Sequence, residues 1–294
     1  MLVSVIIATY NSTRFIVETL DSVYNQSYKD IELIVSDDCS TDNTRQVTDR
    51  WITTHKDRFV NTIHVKTNHN LGIAGNYNNA LSYASGIWVK TLDSDDVLLP
   101  NCITDSVNAT FTNTSIVVWF FGWENINQDG TFVNRVPNPF PFTDNRKQFR
   151  HYLVYKTDLH TNTLFIRRDT INKIGGFDER FPMTQDIPLV YNLLANKKQF
   201  GVAPDTYTIQ FRNVPSSVSR SGNTRMSHDI AECRWYYSRY YLKYGLFFHW
   251  YNAQVTHYID IVNHQSNFLT LLGYCLRCFD IIHIYDKIKR KNKT

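Results

Sequence analysis

Three carboxylates fall within four residues at Asp93-Ser94-Asp95-Asp96. They follow the short apolar run Ile87-Trp88-Val89, itself preceded by Gly86, which reads as a buried strand. Carboxylates at the carboxyl end of a strand lie where open α/β sheets bind ligands. Negative charges this close repel one another unless something positive sits between them. A hard divalent cation with oxygen ligands meets that need, and Mg2+ held this way usually also holds substrate phosphates. The plainer alternative is a charged turn that caps the next helix, since Asp suits both turns and N-caps. A second acidic strand end, Asp37-Asp38, follows the run at 31–35.

The elements that must position these groups are legible in the apolar pattern. Residues 2–8 form a β-branched run almost without polar residues, as suits a central parallel strand covered on both faces. Thr9-Tyr10-Asn11-Ser12 turns the chain, and Phe15, Ile16, Thr19, Leu20 and Val23 then recur at helical spacing. After the strand at 31–35, Ser40 or Thr41 is expected to cap a helix beginning near Asn43. A third strand is expected at 61–66, then the polar loop 68–76 with Gly72 and Gly75, and helical spacing over 74–84. Strand and helix alternation with short connections predicts an α/β fold with a doubly wound, mostly parallel sheet. Both acidic strand ends and the 68–76 loop would gather on one edge of that sheet.

Beyond Asn101 the pattern loosens. Strands are expected at 115–123, 163–166 and 200–211, and a helix from Asp186 through Leu189, Val190, Leu193 and Leu194. Pro137, Pro139 and Pro141 make 134–145 a loop, because proline interrupts both ladders and helices. Beyond Ser216 the composition shifts: 235–244 is aromatic with basic insertions, and 268–285 is nearly all apolar. Its exceptions Thr270, Gly273, Arg277, Asp280 and His283 would form one narrow polar stripe on a helix. A membrane span needs ~20 apolar residues, and Arg277 and Asp280 argue against one. With five positive charges over 287–293, an interfacial helix beside a basic anchor fits, and so does a helix packed on the main domain.

Composition sets the outer limits. The chain has 294 residues, 43% apolar and 20% charged, as a globular protein does. A net charge of +4 does not suit general nucleic-acid binding. Five cysteines do not suggest a disulfide framework. Cys275-Leu-Arg-Cys278 has metal or redox spacing but no second ligand pair, so two small apolar residues on a helix is the better reading. The N-terminus has no basic leader region and is expected to be a first strand, which makes a cytoplasmic chain the expectation.

Several stretches together resemble the family 2 glycosyltransferases with the GT-A fold. They are residues 3–11, 18–26 and 34–42, then Asn70-Leu71-Gly72, Asp93-Ser94-Asp95-Asp96, Gly175-Gly176-Phe177-Asp178-Glu179 and Gln185-Asp186, in the expected order and spacing. Each alone is weak; the ordered set covers residues 1 to about 195, and the C-terminal third carries no such match. The resemblance implies a nucleotide-sugar-binding half at 1–115, an acceptor-binding half of the same GT-A domain at 116–215, and a helical C-terminal extension at 216–294. It implies transfer of a single sugar, with inversion, from a nucleotide diphosphate sugar such as a UDP-sugar to a glycan or polyprenyl-diphosphate-linked acceptor, in surface polysaccharide synthesis. Thr9, Tyr10, Asn11, Asn70 and Gly72 would line the nucleotide pocket, and Asp38 would accept a hydrogen bond from the base. Asp93 and Ser94 would face the ribose side, Asp95 would hold Mn2+ or Mg2+ on the diphosphate, and Asp96 would support them or cap a helix. Asp186 would be the catalytic base, with an ordinary N-cap as its alternative use. His160, Asn162 and Gln185 would stand on the acceptor side, and peripheral contact with the inner membrane face would run through 268–293.

There are departures from the family pattern. Gln185 stands where the family usually has Glu, and Cys39 where it usually has Gly. The Gln-x-x-Arg-Trp motif of processive synthases is absent, so single-sugar transfer is expected over polymerisation. Trp119, Trp123 and Tyr155 are candidates for stacking on sugar rings, with core packing as the alternative. Two other function classes stay open. A nucleotidyltransferase would bring a glycine-rich phosphate loop, which Thr9 to Ser12 does not offer. A non-catalytic nucleotide or carbohydrate binder would bind without turnover.

Overall fold

Residues Val3–Thr9 form a strand buried on both sides, as a run without polar alternation requires. Val3, Val5 and Ile7 enter one apolar core and Ile6 and Ala8 the other, so the strand lies at the centre of the molecule. The computed structural model describes residues 1–138, 144–155, 159–214 and 224–263. The chain runs β1 (Val3–Thr9), α1 (Ile16–Tyr24), β2 (Ile31–Asp37), α2 (Thr44–His55), β3 (Asn61–Lys66), α3 (Gly72–Ser82) and β4 (Trp88–Asp93). Then follow β5 (Val97–Leu98), α4 (Cys102–Thr112), β6 (Val118–Phe120), β7 (Gly122–Asn127), β8 (Phe132–Val136) and α5 (Asn145–Tyr155). Next come β9 (Leu164–Arg167), α6 (Arg168–Lys173), α7 (Asp186–Ala195), β10 (Phe200–Gly201) and β11 (Tyr207–Asn213). Helices α8 (Thr224–Tyr236), α9 (Arg239–Lys243) and α10 (Phe247–Asn263) come last.

The main sheet has seven strands in the order β10-β6-β9-β4-β1-β2-β3. All pairs are parallel except those of β9, which runs antiparallel between β4 and β6. Register does the positioning. Thr9 lies opposite Asp37, and Ala8 opposite Asp93, so the acidic strand ends meet at one sheet edge. A second sheet of four strands, β5-β11-β7-β8, stands beyond that edge.

Four expectations need correction. The apolar run at 115–123 is not one strand: β6 belongs to the main sheet and β7 to the second. The crossover needs Gly122, where a Cβ would come within 2.8 Å of the Val136 carbonyl oxygen and 2.9 Å of the Tyr207 ring. The run at 200–211 divides in the same way, into β10 and β11. Neither Ser40 nor Thr41 caps α2. The Ser40 hydroxyl accepts the Asn11 N–H, Thr41 donates to the Asn11 side chain, and Asp42 takes the Thr44 N–H instead. The loop at 134–145 starts later than expected, since β8 extends to Val136 through its pairing with β7.

Cys233, Tyr237 and Tyr241 of the C-terminal helices are buried in the same core cluster as Leu189 and Val190 of α7. The Tyr191 and Tyr237 rings stack at 4.6 Å, which fastens α8 to α7. Among the described residues no helix is long and apolar enough to cross a membrane. The expected apolar helix at 268–285, its polar stripe, the Cys275–Cys278 pair and the basic tail lie outside the described residues.

Candidate active site

A cleft of about 1030 Å³ opens at the carboxyl ends of β1, β2 and β4. Thr9, Tyr10, Asn11, Asp38, Asn70, Gly72, Asp93, Ser94 and Asp95 line it from one half, and His160, Gln185 and Asp186 from the other.

At the ends of β1 and β2 the loops are knitted by side-chain to backbone bonds. Asn11 is left-handed, with φ 49°, and its Oδ1 accepts the Thr41 N–H at 2.8 Å. The Asp38 carboxylate accepts the Leu71 N–H at 2.6 Å and the Gly72 N–H at 3.0 Å. Burial nevertheless raises its pKa above the ordinary value, against the opposing pull of those two donors. Asn70 closes the turn, donating to the Asp38 carbonyl and accepting from Gly72 N–H. Thr9 is buried in the cleft wall with its Oγ1 unpartnered among the described residues. A buried hydroxyl without a partner is costly, and a ligand would satisfy it.

The acidic turn divides its labour. Asp93 Oδ1 accepts from the Tyr77 hydroxyl at 2.5 Å and its Oδ2 from Asn162 Nδ2 at 2.8 Å. Asp96 is buried: Oδ1 accepts the Arg212 N–H at 2.8 Å, and Asn162 donates to Oδ2. Ser94 Oγ meets Ser12 Oγ at 2.6 Å. Asp95 is left facing the cleft. Burial, then the neighbouring Asp93 charge, raise its pKa to about 6, and the Arg212 charge offsets only part of this, so the ionised form calls for a further counter-charge. A divalent cation would supply one, so the residues fit such an ion held by the Asp95 carboxylate. Among the described residues no group of three His, Cys, Asp or Glu side chains forms a closed metal cage. Diphosphate oxygens and water would then complete the coordination, as Mg2+ sites commonly require.

Across the cleft, Asp186 opens α7 without capping it: the N-cap is Gln185, and no side-chain cap bond forms there. Its Oδ1 accepts the Ile187 N–H at 2.9 Å and the more distant Thr184 hydroxyl at 3.4 Å. Burial raises the Asp186 pKa, partly offset by the nearby His160. The His160 ring stacks on Phe211 at 4.6 Å and meets Trp123 edge-on at 4.7 Å. Trp119 and Trp123 are buried, whereas Tyr155 is exposed.

Asn162 needs correction. It was expected to reach the acceptor, but it is 1% exposed and lies behind the acidic turn. There it bridges Asp93 and Asp96, accepts the Asp93 N–H at 2.9 Å, and takes the buried Lys90 ammonium on its carbonyl. Its proximity in sequence to His160 suggested a shared role, but His160 lines the cleft while the Asn162 side chain is spent on Asp93 and Asp96.

Arg212 is a site residue that sequence reasoning missed. It donates from Nε to the Asp95 carbonyl at 2.9 Å, lies 2.6 Å from Glu18 Oε2 by Nη2, and covers the Phe15 ring. It follows a strand-like run, but nothing in the spacing links it to Asp95, 117 residues away. Tyr77 was missed for the same reason: helical periodicity marks it as core and does not show its hydroxyl reaching Asp93.

Residues 4–175 match the family described as Glycosyl transferase family 2. The chain belongs to glycosyl transferase family 2. Asp95 falls inside the matched segment and Asp186 beyond it. Among curated relatives, the chain is 38% identical over 132 residues to the Escherichia coli UDP-Glc:alpha-D-GlcNAc-diphosphoundecaprenol beta-1,3-glucosyltransferase WfaP. That match covers 45% of this chain and 49% of WfaP, so this chain spans about half the length of that relative. It is also 38% identical over 105 residues to the putative glycosyltransferase EpsE of Bacillus subtilis, covering 36% of this chain and 37% of EpsE. Among solved structures, S. aureus TarS 1–349 in complex with UDP-GlcNAc superposes with a TM-score of 0.61 at 19% identity, over 88% of this chain and 73% of that one. The Pyrobaculum calidifontis mannosyltransferase PcManGT, in complex with GDP-Man and Mn2+, superposes with a TM-score of 0.61 at 18% identity, over 98% of this chain and 84% of that one. These likenesses show that this family 2 member has a GT-A-like fold.

Proposed function

We propose that this chain is a metal-dependent, inverting glycosyltransferase that moves one sugar from a UDP-sugar to a lipid-linked glycan in surface polysaccharide synthesis. The observation that carries the reading is one cleft lined by Asp95 from one half and by Asp186 from the other. Thr9, Tyr10 and Asn11 border the nucleotide. Asp38 keeps lone pairs beyond those used by Leu71 and Gly72, and these accept from the base. Asp93, held by Tyr77 and Asn162, faces the ribose. Bound at Asp95, a divalent ion supplies Lewis-acid stabilisation of the charge on the departing diphosphate.

On the other side, Asp186 Oδ1 is engaged by Ile187, which leaves Oδ2 for the acceptor hydroxyl. Asp186 takes the hydroxyl proton as that oxygen attacks the anomeric carbon and the bond to the diphosphate breaks. One bond forms and one breaks on opposite faces of the carbon, so its configuration inverts. The lipid-linked acceptor is supported by the acceptor named for WfaP. Peripheral contact with the inner membrane face through 268–293 belongs to the same proposal and rests on the apolar and basic composition there. Equal partition of the full chain and a chain ending at Asn267 onto anionic vesicles would remove that part.

The test is transfer from UDP-glucose, UDP-galactose, UDP-GlcNAc and UDP-GalNAc to a synthetic sugar-diphosphate lipid, with Mn2+ or EDTA, and assignment of the product anomer by NMR. A metal-dependent product of inverted configuration is expected from one donor. A product of retained configuration, or donor binding with no turnover of any donor, contradicts the proposal; the latter outcome would favour a non-catalytic binder.

A further inference from the structure

The cleft has a cation that the chemistry above does not use. Helix α8 lies along its acceptor side, and Arg234 lines the cleft together with Asp186 and Tyr152. Tyr152 is close enough to both to feel the charges of Asp186 and Arg234. The acids of α8 are already engaged elsewhere. Asp229 accepts the Met183 N–H at 2.8 Å, and Glu232 lies 3.1 Å from His257. Among the described residues, no hydrogen bond or ion pair engages the Arg234 guanidinium. Its helix is nonetheless fixed: Cys233 is fully buried, and the Tyr237 hydroxyl donates to Asn192 of α7 at 2.8 Å and to Asp178 at 3.2 Å. A half-buried arginine, rigidly based and without a counter-ion, faces the ligand space. Arginine suits phosphate especially, because its fork of donors matches phosphate oxygens.

The donor diphosphate is accounted for by the metal site proposed at Asp95. We propose that Arg234 is an acceptor-side phosphate-binding residue, which selects acceptors carrying a phosphate group next to the sugar that is extended. The proposal rests on the glycosyltransferase reading above and adds the chemistry of its second substrate. The phosphate could be the diphosphate of a lipid-linked sugar or the phosphodiester of a polymer, which present the same oxygens to the guanidinium.

The experiment titrates ligands by calorimetry into the full chain saturated with UDP and Mn2+, with free metal held in excess. The probes are decyl diphosphate, decyl methyl phosphate and neutral decyl glucoside, against wild type, Arg234→Gln and Arg234→Lys. Wild type is expected to prefer a charged probe over decyl glucoside by about tenfold or more, the worth of one charge-assisted hydrogen bond. Arg234→Gln should lose that preference and Arg234→Lys should keep part of it, with UDP affinity unchanged in both. A preference for decyl diphosphate points to the lipid-linked source, and one for decyl methyl phosphate to the phosphodiester source. If wild type binds UDP but shows no preference, or if Arg234→Gln retains it, the inference is overturned. Loss of UDP affinity in Arg234→Gln also overturns it, by moving the residue to the donor. Failure of wild type to bind UDP at all refutes the underlying donor assignment instead.

Discussion

Asp186 begins α7 with a carboxylate that does not cap the helix and opens on the cleft. Asp186→Asn should keep the fold and UDP affinity while lowering kcat ~100- to 10,000-fold, the usual worth of a general base. The pH dependence has a definite sign. As the proposed base, Asp186 would act only when ionised, and burial raises its pKa above the ordinary aspartate value of 3.8. Activity should therefore be lost as pH falls, with a midpoint above 3.8 that Asp186→Asn removes from the kcat/KM profile of its residual activity. Asn162 gives a second prediction, about stability. Asn162→Leu would strand oxygens of Asp93 and Asp96 and the Asp93 N–H. Urea unfolding should show a loss of about 1–3 kcal/mol for each group left unsatisfied. A loss well below that would mean that the acidic turn is held by other contacts.

At the scale of elements, the start of α3 joins the two sides of the cleft. Gly72 has φ +78°, and a Cβ there would come within 2.8 Å of Pro182 Cβ. The Ile73 N–H donates to the Pro182 carbonyl at 2.9 Å, so this turn carries the segment that leads into Asp186. Gly72→Ala should cost about 1–2 kcal/mol from backbone strain alone, seen as a lower Tm, and should raise KM for the acceptor through displacement of that segment. Strand β1 was legible because burial on both faces leaves a nearly uninterrupted apolar run, and the carboxyl ends of β2 and β4 located the acidic clusters, whereas β3 is a partly exposed edge strand. The division of 115–123 was not legible, because the run stays apolar across the point where the chain changes sheets and only the tertiary crowding at Gly122 marks it. The division of 200–211 had a signal in Pro204-Asp205, which interrupts a strand, but the flanking apolar residues outweighed it. In the cleft, Asp38, Asp95 and Asp186, expected from residue type and motif order, are all among the lining residues. Arg212 and Tyr77 were not expected, because each meets its partner, Asp95 or Asp93, only through the fold, and Arg234 was not expected because no motif places it at the cleft.

At the scale of the molecule, the two halves are interleaved. Strand β9 inserts between β4 and β6, and the buried Lys90 of β4 donates to the Asn162 carbonyl. A fragment of residues 1–115 would therefore keep a buried ammonium without its acceptor and leave one edge of β4 open. It should show no cooperative melting transition by circular dichroism, whereas the full chain should melt in one. A sharp transition in the fragment would mean that the nucleotide half is an independent unit. The account as a whole depends on a nucleotide diphosphate and a metal meeting at Asp95. The most direct measurement is the thermal stability of wild type and Asp95→Ala with UDP, GDP or dTDP, each with Mn2+ or EDTA. Ligand at about 100 times its dissociation constant adds ~2.7 kcal/mol. Wild type should gain stability from UDP only with Mn2+, and Asp95→Ala should lose that gain while remaining folded. An equal gain with EDTA, or an undiminished gain in Asp95→Ala, would contradict the metal site, and no gain with any nucleotide would contradict the nucleotide-sugar account itself.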